Sequence, residues 1–133
     1  MSTDQKFSTS FAKDGAFQDG MRGFLEYRDL GVADASNGQF HAHIVRVKKN
    51  ADVGDLHTTG LHQHHLNFQM IFIVKGWIKF TYENEGEFTF GPGDCCMQPA
   101  GIVHNELDCS EDLELLEITS PAKFKTSKVA EAA

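Results

Sequence analysis

Tryptophan is almost missing from this chain, and proline, tyrosine and positive charge are all scarce. The 133 residues hold one Trp, two Tyr, three Pro, and 12 Lys and Arg against 19 Asp and Glu, for a net charge of −7. So acidic a chain, in which Lys48-Lys49 is the longest cluster of lysines, offers no basic patch for a phosphate backbone or an anionic membrane surface, and nucleic acid and membranes are not expected partners. A membrane helix needs ~20 consecutive apolar residues, and no run here approaches that. The opening MSTDQKFSTSFAKDG has no cationic stretch followed by an apolar one, so it does not read as a secretory signal and the expected location is cytoplasmic. The three cysteines, Cys95, Cys96 and Cys109, cannot all pair within one chain, and adjacent Cys95 and Cys96 on a strand face opposite ways. They read as reduced thiols, with a thiolate metal ligand as the alternative. There is no internal repeat and no low-complexity tract.

Phenylalanine, in contrast, is plentiful at eleven residues, and it sits with β-branched residues in short alternating runs broken by Gly, Asn and Asp. That pattern predicts an all-β domain, an antiparallel barrel or sandwich with an apolar interior. Phe24 to Arg28, Phe40 to Lys48, Met70 to Val74, Trp77 to Glu83 and Leu113 to Thr119 read as strands. In the Trp77 hairpin Ile78, Phe80 and Tyr82 share one face, expected to be core, and Trp77, Lys79 and Thr81 the other. Asp34 to Gly38, Asn84-Glu85-Gly86 and Gly91-Pro92-Gly93 carry turn chemistry, and Asn50 to Gly60 reads as a loop. One domain, residues 23–121, is expected between a polar N-terminal segment of residues 1–22, mobile or lying on the barrel through Phe7, Phe11 and Phe17, and a frayed tail of residues 122–133.

Two histidines one residue apart on a strand project from the same face, so His62 and His64 form a pair, and His104 on a neighbouring strand completes a facial set. Neutral imidazole suits divalent transition metals, and three of them with a fourth donor leave positions open for water, oxygen or substrate. Gln69 is the candidate fourth donor. It stands five residues after His64, which requires a bend or bulge to restore the face. Its carboxamide carries no charge, so the ion would keep more Lewis acidity than beside a carboxylate, and a purely hydrogen-bonding role for Gln69 is the alternative. Glu106, two residues after His104, shares its face and is the candidate general base. Ile71, Ile73, Ile78, Phe80 and Tyr82 are the expected pocket wall. His57 and His65 are read as non-ligands, and His41 and His43 as pocket lining or surface.

The spacing Gly60, His62, His64, Gln69, Gly76, followed by Gly93, Pro99, Gly101, His104, Asp108, resembles the two motifs of the cupin superfamily, with Gln69 and Asp108 standing where Glu and Asn are usual. The resemblance covers about Gln39 to Thr119. It implies a jelly-roll, or double-stranded β-helix, barrel and one divalent metal, Fe, Mn, Ni or Zn. It also implies a homodimer, in which Gly23 to Leu30 and the Trp77 face meet a partner subunit.

A small, largely apolar oxygenated substrate such as a diketone, enediol or hydroxy-acid, chelating the metal before dioxygenase-like cleavage, is the leading expectation. A non-oxidative isomerase, lyase or cyclase, with Glu106 moving protons, is the second. A binding or sensing module is the third. Superfolds host many functions, so the choice among these belongs to the site.

Overall fold

The structure, a computed structural model, describes residues 4–19, 23–49 and 60–129. His57 and most of the loop expected between Asn50 and Gly60 lie outside the described residues.

Alternation of apolar and polar residues produces, among the described residues, eleven strands in two antiparallel sheets. β1 (Gln18–Asp19), β2 (Leu25–Asp29), β3 (His41–Val47), β10 (Glu114–Ser120), β5 (Phe68–Lys75) and β8 (Cys95–Met97) form one sheet in that order. β11 (Lys125–Lys128), β4 (His62–His65), β9 (His104–Cys109), β6 (Ile78–Tyr82) and β7 (Gly86–Phe90) form the other. Every pairing is antiparallel. After β1 to β3, which lie together, the chain crosses between the sheets at every step but the β6–β7 hairpin, which is the jelly-roll solution to burying two half-apolar sheets against each other.

The core lies between the sheets. Val45, Ile71, Ile73 and Leu115 enter it from one side, Ile78, Phe80, Tyr82 and Cys109 from the other, and Leu113 joins from the turn before β10. Full burial of one such side chain contributes about 1.5–3 kcal/mol, so Ile73, with no exposed surface, is among the strongest anchors. The β5–β6 turn requires Gly76. Its φ is +73°, and a Cβ there would press into Ser110 and, at 2.9 Å, onto the Leu113 backbone.

Two segments differ from the expectations, and the N-terminal one makes contacts of its own. Val32–Ala35 forms one turn of helix, α1, before the Asn37 and Gly38 turn at φ 55° and 82°. Residues 4–19 are held on the barrel. The Lys6 N–H donates to the Ala35 carbonyl at 2.8 Å, Arg28 donates to Ser10 Oγ at 2.8 Å, and the Arg46 guanidinium lies 3.5 Å from the Phe17 ring centroid. The frayed tail expected after Pro121 is instead partly strand, because Lys125–Lys128 adds β11 to the edge of β4 and satisfies backbone groups that β4 would otherwise expose. No helix among the described residues is long and apolar enough to cross a membrane.

Candidate metal centre

Strand pairing builds the centre. His62 is directly opposite His104 in the β4–β9 ladder, and His64, two residues along β4, projects from the same face as His62. The three rings cluster with centroids 4.3 Å apart for His62 and His104, 5.0 Å for His64 and His104, and 5.1 Å for His62 and His64. One ligand nitrogen from each lies within 4.8 Å of the others.

Each ring is aimed by a bond at Nδ1. His62 Nδ1 is 2.8 Å from the Gly60 carbonyl and His104 Nδ1 is 3.0 Å from the Ile102 carbonyl. A carbonyl only accepts, so the proton sits on Nδ1 and the lone pair on Nε2. His64 Nδ1 is 2.7 Å from Thr126 Oγ1 on β11, and Phe124 packs edge-on to the same ring. Burial, together with the charges His104 and His62 would carry, lowers the His64 pKa to about 4, so this imidazole is neutral and able to ligate at physiological pH. Tyr82 backs the centre, its ring stacked 5.9 Å from His104. Three imidazoles, each aimed by a bond at Nδ1, are a donor set that fits a first-row divalent ion.

The bend that Gln69 needs is a change of sheet. Leu66 and Asn67 carry the chain from β4 to β5, and Gln69 arrives on the opposite wall, buried. Its Nε2 donates to Glu117 Oε2 at 2.8 Å, so Oε1 is the atom turned to other uses. Glu117 was not singled out in the sequence. Alternation sets it on the face of Leu115 and Thr119, but only the register of β10 between β3 and β5 reveals its partners. That register sets His43, Glu117 and Ile71 in one row across the sheet and His41, Thr119 and Gln69 in the next. Glu117 Oε1 is 2.7 Å from His43 Nε2, and His43 Nδ1 is 3.1 Å from His41 Nε2. Burial alone would raise the Glu117 pKa, but the bond and charge of His43 and the bond from Gln69 hold it below the ordinary carboxylate value. Burial and neighbouring His43 lower that of His41.

Glu106 follows His104 by two residues on β9 and stands with Oε2 3.8 Å from His62 Nε2. It shares with His64, His104, Gln69, Glu117, His41 and His43 a cavity of about 1000 Å³. Ile71, Ile78 and Phe80 belong to its wall. Ile73 and Tyr82, counted with the pocket in the sequence, do not. Ile73 is sealed in the core, and Tyr82 turns its hydroxyl to Gln98 Nε2, a donor 2.6 Å away, standing behind His104 rather than in front of it. The cavity also takes Phe11, Asp14 and Asp19 from the N-terminal segment and Phe124 and Thr126 from the C-terminal one. His65 faces away, its Nε2 2.7 Å from Ser127 Oγ. The cysteines are free thiols, with Cys95 exposed and Cys109 buried; burial pushes the Cys109 pKa up to about 11, leaving a thiol too weakly acidic to ligate readily.

Two facing antiparallel sheets with three histidines converging between them define a jelly roll with a histidine group able to hold a metal. The chain belongs to the cupin domain family, whose model matches residues 39–119. Among solved structures it is similar to the polyketide cyclase RemF from Streptomyces resistomycificus, with 16% identity, a TM-score of 0.73, and coverage of 96% of this chain and 88% of that one. It is similar also to KdgF from Halomonas sp., with 18% identity, a TM-score of 0.64, and coverage of 87% and 96%. A third is an RmlC-like cupin from Shewanella frigidimarina, with 20% identity, a TM-score of 0.62, and coverage of 90% and 96%. These likenesses are of fold. Comparison with curated proteins finds no match.

Proposed function

We propose that this chain is a mononuclear metalloenzyme acting on an oxygenated organic molecule. His62, His64 and His104 hold one divalent ion, Fe, Mn, Ni or Zn, and Gln69 Oε1 is the fourth donor. The observation that carries this reading is that His62, His64 and His104 each bring one ligand nitrogen within 4.8 Å of the others, with each ring aimed by a bond at Nδ1. The ion supplies Lewis acidity and open positions for substrate or oxygen. The chain itself does the rest. Glu106, beside His62, accepts a proton from the bound substrate. Ile71, Ile78 and Phe80 give its carbon skeleton an apolar wall.

Two reactions suit this arrangement. Dioxygenase-like cleavage is favoured by a facial three-histidine set with positions left open. A non-oxidative isomerase, lyase or cyclase reaction is favoured by the proton-handling groups that share the cavity, Glu106 and the His43–Glu117 pair, and a polyketide cyclase is among the similar structures. Protein purified without chelators is expected to carry about one transition metal per chain by elemental analysis, and Ala at His62 or His104 is expected to remove it. Retention of full metal by both variants would overturn the proposal. Oxygen consumption during turnover of a diketone or enediol separates the two reactions, and metal and ligand binding with no turnover of any compound would indicate a sensing module.

The same reading includes a cytoplasmic homodimer. Phe72, Val74 and Trp77 are partly exposed near one another along β5 and its turn, an apolar strip that a second copy would cover. Sedimentation at micromolar concentration is expected to give twice the chain mass, and a monomer would count against it.

A further inference from the structure

The interior position just after β8 is held by an amide. Alternation along Cys95–Met97 turns Cys96 and, two residues on, Gln98 inward, and Gln98 is only 2% exposed, where an apolar side chain would fill the space without needing partners. Its geometry is fixed from several sides. The Gln98 N–H donates to the Gln69 carbonyl at 2.8 Å, and Pro99 after it restricts its backbone to the extended region. Its Nε2 donates to the Tyr82 hydroxyl at 2.6 Å, an oxygen that Cys96 Sγ also approaches, at 3.6 Å. The other half of the amide is uncommitted, since Oε1 accepts from no group among the described residues. Gln98 belongs to the wall of the cavity that holds His64, Gln69, His104 and Glu106, whereas Tyr82 does not. The amide thus reaches from the tyrosine behind the histidines to the space in front of them. With Nε2 turned back to Tyr82, Oε1 is the polar atom that it brings to that space.

We propose that Gln98 is a specificity-determining residue, whose Oε1 accepts a hydrogen bond from a hydroxyl that the substrate carries in addition to the oxygens bound at the metal. The inference rests on the metal-site reading above for where those oxygens lodge, and it narrows the substrate to a chelating molecule with one further hydroxyl. A buried acceptor facing an ether oxygen, or facing nothing, has lost its bond to water without replacement, so an analogue lacking the proton is penalised rather than merely less favoured. The acceptor is also held in place before the ligand arrives, because Tyr82 and the backbone bond to Gln69 restrain both ends of the residue. Little ordering is then left for binding to bring about.

Ligands that differ in one oxygen decide the matter. 2-Hydroxyacetophenone offers zinc a ketone and an ortho hydroxyl, and its 3-, 4-, 5- and 6-hydroxy derivatives place one further donor at successive points of the ring. Binding of these five compounds, and of the matching methoxy derivatives, is measured by calorimetry to zinc-loaded and to metal-free protein. The expected result is that one hydroxy derivative binds about 10-fold more tightly than the parent, that its methoxy counterpart does not, and that the gain is lost in Gln98→Met, which keeps the length of the side chain without the amide. Tyr82→Phe keeps the ring behind His104 but releases the amide, and is expected to reduce the gain to about 3-fold. The comparison of hydroxy with methoxy compounds on the wild-type protein does not depend on either variant folding. No gain from any hydroxy derivative, an equal gain from its methoxy counterpart, a gain that survives in Gln98→Met, or no binding of any compound up to its solubility limit overturns the inference. If zinc fails to bind but metal-free protein still prefers one hydroxy derivative and loses that preference in Gln98→Met, the metal reading falls and the role of Gln98 stands. If zinc binds at the histidines and the five compounds bind alike, the reverse holds.

Discussion

Gln69 gives its amide proton to Glu117, Nε2 to Oε2 at 2.8 Å, and so the residue that departs from the usual cupin glutamate is matched to a carboxylate already waiting on the neighbouring strand. A glutamate at 69 would face that carboxylate at hydrogen-bond distance. Two carboxylates so placed cannot both stay ionised at little cost. Gln69→Glu is therefore expected to lower the melting temperature of metal-free protein, and to recover much of the loss on adding metal. Equal stability of variant and wild type without metal would show that the pair is not the reason for the glutamine.

Direct ligation by Gln69 is separable from that effect. Gln69→Ala is expected to weaken metal binding about 10–100-fold, the range seen when groups around a metal site are removed, and His104→Ala by more. The measurement is a metal dissociation constant by competition with a chromophoric chelator. Ligation by Gln69 is untenable if the Ala variant binds as tightly as wild type while His104→Ala does not bind.

Thr126 reaches His64 from a strand outside the matched family region. Thr126→Val keeps the shape and removes the hydroxyl, so the His64 ring loses its anchor. A fall of about 10-fold in metal affinity is expected, with folding intact by circular dichroism. Unchanged affinity would mean the ring is aimed by packing on Phe124 alone.

The pH response of the metal-free protein follows from His64. Its folded pKa of about 4 lies below its ordinary 6.5, so between these values the unfolded chain takes up a proton that the folded one refuses, and stability falls as pH drops through that window. Glu117 acts lower. Its folded pKa is held below the ordinary 4.5, so its contribution is present above pH 4.5 and is lost on further acidification. Urea midpoints at pH 7 and pH 5 are expected to differ less in His64→Gln than in wild type, and an identical difference in both would contradict the assignment to His64.

Packing and cavity make opposite demands on apolar residues. Ile73→Ala is expected to cost about 2–5 kcal/mol, because it opens a hole in a sealed core. Phe11→Ala is expected to change stability by no more than about 0.5 kcal/mol, since that ring is 60% exposed, yet to weaken binding of a ring-bearing ligand in the cavity it lines. Urea denaturation and ligand titration on both variants check the pair.

Most of the barrel was legible because alternation is a local signal. The Ile78, Phe80, Tyr82 face is buried as its period requires, and the histidine spacing needs only one ladder contact, His62 opposite His104, to become a cluster. What escaped were relationships set by register between distant strands. Glu117 sits within reach of His43 because β10 pairs with β3 at one offset rather than another, and no local pattern announces an offset. Tyr82 was read as wall from its face alone, but a face toward the interior does not distinguish the front of a histidine from its back. β11 was missed because Lys125-Thr126-Ser127-Lys128 is polar throughout, as an edge strand with its outward face in water can be.

The first and last stretches of the described chain line the cavity, Phe11 to Asp19 on one side and Phe124 to Thr126 on the other, whereas the candidate metal ligands His62, His64 and His104 lie in the middle. Reactivity and admission are thus written in different parts of the sequence. Trimming the protein to residues 39–119 would keep the three histidines and the Ile71, Ile78 and Phe80 wall but strip away the end segments that line the cavity, Thr126 behind His64 among them, and exchanging those segments between such proteins is a direct way to offer one chemistry a different substrate.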